Sequence, residues 1–170
     1  YLKRQKIFHL DAIVISHPHS DHLGGVPSIL RAIKVDSVFD SKAQSSSLLY
    51  KEYVHLLDSL HIPRRNLYAG NQFENISHTR LFVLHPTKQF ADTHAVHNLN
   101  NCSVVFKLVY KNTSILFDGD AEKEAEEQIA NTYGIFLKSS LLKTGHHGSR
   151  TSSSESFLNF VHPKFAGISV

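Results

Sequence analysis

Three imidazoles and one carboxylate crowd the run Ser16-His17-Pro18-His19-Ser20-Asp21-His22-Leu23-Gly24-Gly25. The residues just before it, Ala12-Ile13-Val14-Ile15, are apolar, largely β-branched and free of polar interruption, which predicts a short buried strand. The cluster therefore sits at a strand's carboxyl end, where open α/β sheets place their sites. On an extended segment, residues two apart face the same way, so His17 and His19 can hold one metal ion. Asp21 and His22 come after the chain bends and can face a second. Imidazole and carboxylate suit zinc, manganese or iron better than calcium.

Further candidates lie downstream. Asp118-Gly119-Asp120 ends a predicted strand and precedes a predicted helix, and an Asp at position 120 also suits a helix cap. His146 and His147 follow another buried strand. Adjacent residues on an extended chain face opposite ways, so one of the two ligates and the other packs or supports it. Ser149 and Arg150, with Thr151 and Ser152, could hold a phosphate oxygen, Arg150 by its bidentate fork. The same stretch also reads as a loop capping the next helix.

The His-x-His-x-Asp-His-x-Gly-Gly run resembles the metal signature of the metallo-β-lactamase superfamily. Leu116-Phe117-Asp118-Gly119-Asp120-Ala121-Glu122 and Leu142-Lys143-Thr144-Gly145-His146-His147-Gly148-Ser149-Arg150-Thr151-Ser152 narrow the resemblance to the soluble domain of ComEC-type competence proteins, the membrane channels of bacterial DNA uptake. It runs from about Ile7 to Val170. The resemblance implies an α/β fold, a metallo-β-lactamase-like αββα four-layer sandwich. Relatives usually carry an earlier strand pair with an Asp-x-Gly-x-Gly-Asp element and a further strand and helix at the end, so the fold is expected to be truncated at both ends.

The same resemblance implies two divalent metal ions, manganese or zinc, held by His17, His19, Asp21, His22, Asp120 and His146. Asp120, rather than Asp118, would bridge them, and His147 would be the neighbour of the ligand His146. Asp21, His22 and Asp120 would carry the catalysis. Hydrolases of the superfamily usually take a third ligand for the first metal from a histidine before a serine-containing strand. Here Asn100, Asn101 and Cys102 lie nearest Ser103, with His97 further back, and ComEC-type relatives also tend to carry asparagines there. An amide oxygen is a harder, weaker ligand than imidazole and shifts preference from zinc toward manganese or magnesium.

Elements that must position these residues follow from the apolar pattern. Strands are predicted at 12–16, 35–39, 81–84, 103–110, 113–118, 140–144 and 166–170, and helices at 26–33, 47–60, 121–131 and 153–161. Short strands are expected at 67–69 and 72–73. Residues 86–102 show no apolar periodicity and read as a long polar loop, a type of segment that is often functional. Lys111-Asn112 reads as a hairpin turn. His55 and His61 read as helix surface.

At 170 residues the chain fits one domain, residues 1–170, with a sizeable core. Its formal charge of +3 is compatible with a polyanionic partner. A single cysteine, Cys102, excludes an internal disulfide and a cysteine-based zinc site. No apolar run approaches the length of a membrane span, so no membrane contact is expected from this segment itself. The resemblance implies that the chain is part of a longer protein in the bacterial cell membrane, with this domain in a soluble compartment outside the cytoplasm. The function it implies is metal-dependent nuclease action on single-stranded DNA, degrading the strand that is not imported. The alternatives are a small-molecule hydrolase acting on a lactone, thioester or cyclic phosphodiester, and a non-catalytic nucleic-acid-binding module.

Overall fold

A computed structural model describes residues 1–76 and 78–169, so the end of the strand expected at 166–170 falls, with Val170, outside the described residues. After a short 3-10 turn at Leu2–Gln5, the elements run β1 (His9–Leu10), β2 (Ile13–Ile15), α1 (Ser20–Leu23), α2 (Val26–Ala32), β3 (Lys34–Val35), β4 (Val38–Asp40), α3 (Leu48–Ser59) and β5 (Arg64–Asn66). The second half continues with β6 (Gln72–Ile76), β7 (Thr79–His85), α4 (Lys88–His94), β8 (Val105–Tyr110), β9 (Thr113–Phe117), α5 (Lys123–Tyr133), β10 (Leu141–Lys143), α6 (Glu155–Val161) and β11 (Phe165–Gly167).

The strands form a six-stranded sheet in the order β11-β10-β9-β8-β7-β6, a three-stranded sheet β2-β4-β5 and a two-stranded pair β1-β3. The three-stranded sheet is parallel, and Ile15 pairs with Asp40, which pairs with Asn66. In the larger sheet β6 to β9 are antiparallel, while β10 and β11 run parallel to β9. Helices α2 and α3 bury Val26, Leu30, Tyr53 and Leu57 against Ile15 and Val38 of the three-stranded sheet and Val35 of β3. Helices α5 and α6 bury Ala125, Ile129, Phe157 and Val161 against Val105, Leu116 and Leu142 of the larger one. Between the sheets, Phe39 of β4 packs with Leu67, Val83, Val104 and Phe106. The order of layers is αββα.

Three departures from the sequence reading have physical causes. Residues 88–94 of the expected polar loop form α4, because Thr87 Oγ1 accepts the Phe90 N–H at 3.1 Å and caps the first turn. The His94 ring stacks on Phe90 at 4.0 Å, so an imidazole completes an apolar face that Phe90 and Ala91 begin. The expected strand at 67–69 is replaced by β5, whose Arg-Arg-Asn sequence carries no apolar pattern. It is held by side chains instead: Arg64 Nε donates to Asp40 Oδ2 at 2.7 Å and Asn66 Nδ2 to Asp40 Oδ1 at 2.9 Å. The single strand expected at 35–39 is two, because β3 pairs with β1 and β4 with β2 across the break at Asp36-Ser37.

Candidate metal centre

The loop after β2 turns its donors inward in two steps. His17 leaves the strand fully buried, and His19 is the extended residue that precedes α1. The first turn of α1 then returns the chain, with Leu23 N–H bonded to the His19 carbonyl at 2.8 Å and the Leu23 side chain wholly buried as its anchor. This bend places Asp21 and His22 opposite His17. His17 Nε2 lies 2.9 Å from His19 Nδ1.

Asp120 reaches the same point from the end of β9. Its Oδ2 is 3.1 Å from His22 Nε2, 3.6 Å from His147 Nε2 and 3.8 Å from His17 Nε2. Asp21 Oδ2 completes the second group at 3.5 Å from His22 Nε2 and 3.0 Å from His147 Nε2. Donor atoms of Asp21, His22, Asp120 and His147 all lie within 4.8 Å of one another. Asp118 is excluded from the cluster: it is wholly buried, and a Cβ on Gly145 would stand 2.6 Å from its Oδ2. Burial, followed by the neighbouring Glu126, pushes the Asp118 carboxyl well above the usual range.

The two adjacent histidines exchange the places expected for them. It is His147 that turns into the cluster, with its Nε2 3.3 Å from His22 Nε2. His146 Nδ1 turns instead to Thr151 Oγ1 at 3.0 Å and Glu122 Oε1 at 3.3 Å. The reason is the backbone. Residues 145–148 form a 3-10 turn in which His146 and His147 both have positive φ, 44° and 54°, so the alternation of an extended chain does not apply. His147 Nδ1 is fixed by the Ser169 carbonyl at 2.9 Å.

The loop before β8 also divides its candidates. Asn101 spends its amide on the chain, accepting the Glu122 N–H at 2.8 Å and donating to Glu124 Oε2 at 3.1 Å. Asn100 Nδ2 donates to Glu122 Oε1 at 3.3 Å, but its Oδ1 is buried without a hydrogen-bond partner. His97 is exposed and outside the converging group. Arg150, with Asn101, Glu122 and Lys123, lines a separate polar groove, and Ser149 Oγ is engaged with Thr151 Oγ1 at 3.1 Å.

The cation that does line the metal cleft is Lys143, at the end of β10. Its Nζ donates to the Gly119 carbonyl at 3.0 Å and stands 3.8 Å from Asp120 Oδ1. The sequence reading gave it no role, although a lysine closing a buried strand just before the histidine pair was a signal. The cleft has a volume of about 330 Å³ and is lined by Asp21, His22, Lys143, His147 and the apolar Val14, Val104, Phe106 and Phe117.

Electrostatics set a buried, neutral His17 beside an ionised Asp120. Burial, then the proximity of His22, lowers the His17 pKa to about 3. Burial acts to raise Asp120, but the His22 hydrogen bond and the charges of His22, His17 and Lys143 outweigh it and hold the carboxyl at about 2. Asp120 Oδ1 is nonetheless a buried oxygen without a hydrogen-bond partner. The unspent Asp120 oxygen and the converging imidazole nitrogens form a donor set suited to divalent cations.

Residues 1–166 match the metallo-beta-lactamase superfamily. Curated relatives include ComE operon protein 3 of Bacillus subtilis (strain 168), 28% identical over 99% of this chain and 21% of that protein. Recombination protein 2 of Haemophilus influenzae is 31% identical over 99% of this chain and 18% of that protein. The chain thus spans about a fifth of the length of these relatives. Among solved structures, CmlA, a diiron beta-hydroxylase from Streptomyces venezuelae, has a TM-score of 0.55 at 12% identity, covering 94% of this chain and 35% of that one. No helix among the described residues is long and apolar enough to cross a membrane.

Proposed function

Because the chain belongs to the metallo-β-lactamase superfamily, we propose that it is a metal-dependent nuclease domain, hydrolysing DNA phosphodiesters during competence-type uptake. The observation that carries this reading is the position of Asp120 Oδ2. One carboxylate oxygen lies 3.8 Å from His17 Nε2, 3.1 Å from His22 Nε2 and 3.6 Å from His147 Nε2. That is the arrangement for one carboxylate shared by two cations.

His17, His19 and Asp120 would hold the first ion. Asp21, His22, His147 and Asp120 would hold the second. Manganese or zinc bound there would supply Lewis acidity toward a phosphodiester and acidify water at neutral pH. The chain's own groups do the rest. Asp120 stays ionised across the working range. Lys143 presents a fixed cation to a phosphate oxygen entering the cleft. The apolar wall of Val104, Phe106 and Phe117 limits water beside it.

The name of one curated relative, Recombination protein 2, supports a DNA substrate. In this reading the substrate is one DNA strand, cut without sequence preference. The domain belongs to a longer protein of the bacterial membrane and lies outside the cytoplasm.

The test is Asp21→Ala on this chain, with a dye-labelled single strand and manganese, zinc or chelator. Asp21 is exposed, so the variant is expected to fold. It should lose metal-dependent cleavage while DNA binding persists and weakens with salt. Undiminished cleavage by the folded variant sinks the two-metal reading. Hydrolysis of an ester or cyclic phosphodiester with DNA left intact would replace it with the small-molecule reading.

A further inference from the structure

Glu126 is wholly buried on α5, while Glu124 and Glu127 of the same helix are exposed. A carboxyl group in that position gives up its water and must find donors inside the protein. It finds two on the backbone. One of its oxygens accepts the N–H of Ser153, and the other accepts the N–H of Ser154 at 2.8 Å. Both donors are backbone amides, so the direction of each hydrogen bond is fixed.

The backbone is bent to meet this carboxylate. Ser153 has a φ of 56°, a left-handed conformation that residues with a side chain seldom adopt. Its own Oγ is buried without a hydrogen-bond partner among the described residues, so its hydroxyl does not hold the turn. Two successive N–H groups turned to one side make a concave site for an anion. Here its occupant is the Glu126 carboxylate.

The turn that Glu126 holds closes the loop that carries His147. Short links join the two. The Ser149 N–H bonds to the His146 carbonyl at 2.8 Å, and the Ser152 N–H bonds to the Ser149 carbonyl at 3.2 Å. Ser152 Oγ donates to the Ala121 carbonyl at 2.6 Å, and the Lys123 N–H bonds to the Thr151 carbonyl at 2.9 Å. At the other end, the His146 N–H bonds to the Gly119 carbonyl at 3.2 Å, next to Asp120. The loop is thus seated between α5 and the Asp118-Gly119-Asp120 turn, and Glu126 holds it from the buried side of the helix.

We propose that Glu126 is a positioning residue: its buried carboxylate clamps the Ser153–Ser154 turn and so fixes the loop that delivers His147 to Asp21, His22 and Asp120. The consequence for metal rests on the metal reading of the site, whereas the clamp is a property of the metal-free chain. The other buried residues of α5, Ala125, Ile129 and Ala130, are apolar. A buried carboxylate is a poor source of stability, because an apolar residue of like volume serves packing as well. What it adds is a directional hold on one backbone turn.

Amide hydrogen exchange in the metal-free chain is the first test. The Ser153 and Ser154 amides of the unmodified chain should exchange as slowly as those of α5. Exchange at the rate of an open loop overturns the proposal before any variant is made. Glu126→Gln keeps the shape of the side chain but turns an NH2 donor toward one of the two N–H donors. In that variant both amides should exchange faster, and the His147 ring resonances should shift while those of His9, on β1, stay in place. Zinc titration against a chromophoric chelator should show one ion held about 10-fold more weakly and the other much less affected. A folded variant that loses stability to urea while His147 and zinc binding are unchanged overturns the positioning role. If the unmodified chain binds no zinc, the metal reading fails, and the His147 resonances alone decide the clamp.

Discussion

His22 Nε2 and Asp120 Oδ2 lie 3.1 Å apart, joining the first turn after β2 to the far end of β9. The contact is the shortest of the three that Asp120 Oδ2 makes with imidazole nitrogens, and it couples the two sheets at the mouth of the cleft. Everything proposed for the site depends on that one carboxylate being charged and shared.

Asp120→Asn keeps the shape of the side chain and removes the charge. The carboxyl sits at about 2, so at neutral pH the substitution removes a full negative charge rather than a titrating one. Zinc bound per chain should fall from two ions to one or none, measured by elemental analysis after gel filtration. Affinity should fall by more than the ~10–100-fold typical of an outer partner. Retention of both ions would show that Asp120 is not shared between them.

The two histidines of the Gly145–Gly148 turn separate the geometric assignment from the one that resemblance implied. His147→Ala should reduce metal stoichiometry. His146→Ala should leave it unchanged and affect only the Glu122 and Thr151 contacts. The opposite order in the same elemental analysis would return the ligand role to His146.

Much of this site was legible in the residues because its chemistry is local. His17, His19, Asp21 and His22 sit within one turn of each other, and a strand followed by a bend suffices to aim them. Asp120 was readable against Asp118 only through the resemblance, and the structure supplies the cause, since Gly145 closes over Asp118. The His146–His147 order was not legible, because it depends on two consecutive positive φ angles that no spacing argument anticipates. The same holds for the fold. Strands and helices with apolar alternation lie near their expected places. β5 and α4 did not announce themselves, because one is held by the Asp40 carboxylate and the other uses an imidazole as part of its apolar face.

Lys143 offers a test of substrate charge. Its Nζ lies in the metal cleft, whereas Arg150 lines a different groove. Lys143→Met should weaken single-stranded DNA binding and lower the slope of log affinity against log salt by about 0.7, the value for one lost phosphate contact. Arg150→Met should change the slope less. An unchanged slope in Lys143→Met would remove this lysine from the phosphate path.

His85 gives the chain a pH-dependent stability that is independent of metal. The side chain is buried, and its Nε2 donates to the Asn101 carbonyl at 2.8 Å. Burial lowers its pKa from 6.5 to about 4, outweighing the carbonyl, which acts the other way. The folded-state value is depressed, so the unfolded chain binds the proton more readily. The contribution is therefore fully present above about 6.5 and is lost as pH falls toward about 4. At 1.36 kcal/mol per unit, it amounts to roughly 3 kcal/mol across that window. His17 is depressed in the same direction and steepens the slope in the metal-free chain. Urea unfolding of that chain at pH 7.5 and pH 5 should show the loss. His85→Gln, which retains a donor toward Asn101 but does not titrate, should be less stable at pH 7.5 through its imperfect fit and should lose less between the two pH values. If the variant and the unmodified chain lose equal stability over that interval, the slope arises elsewhere.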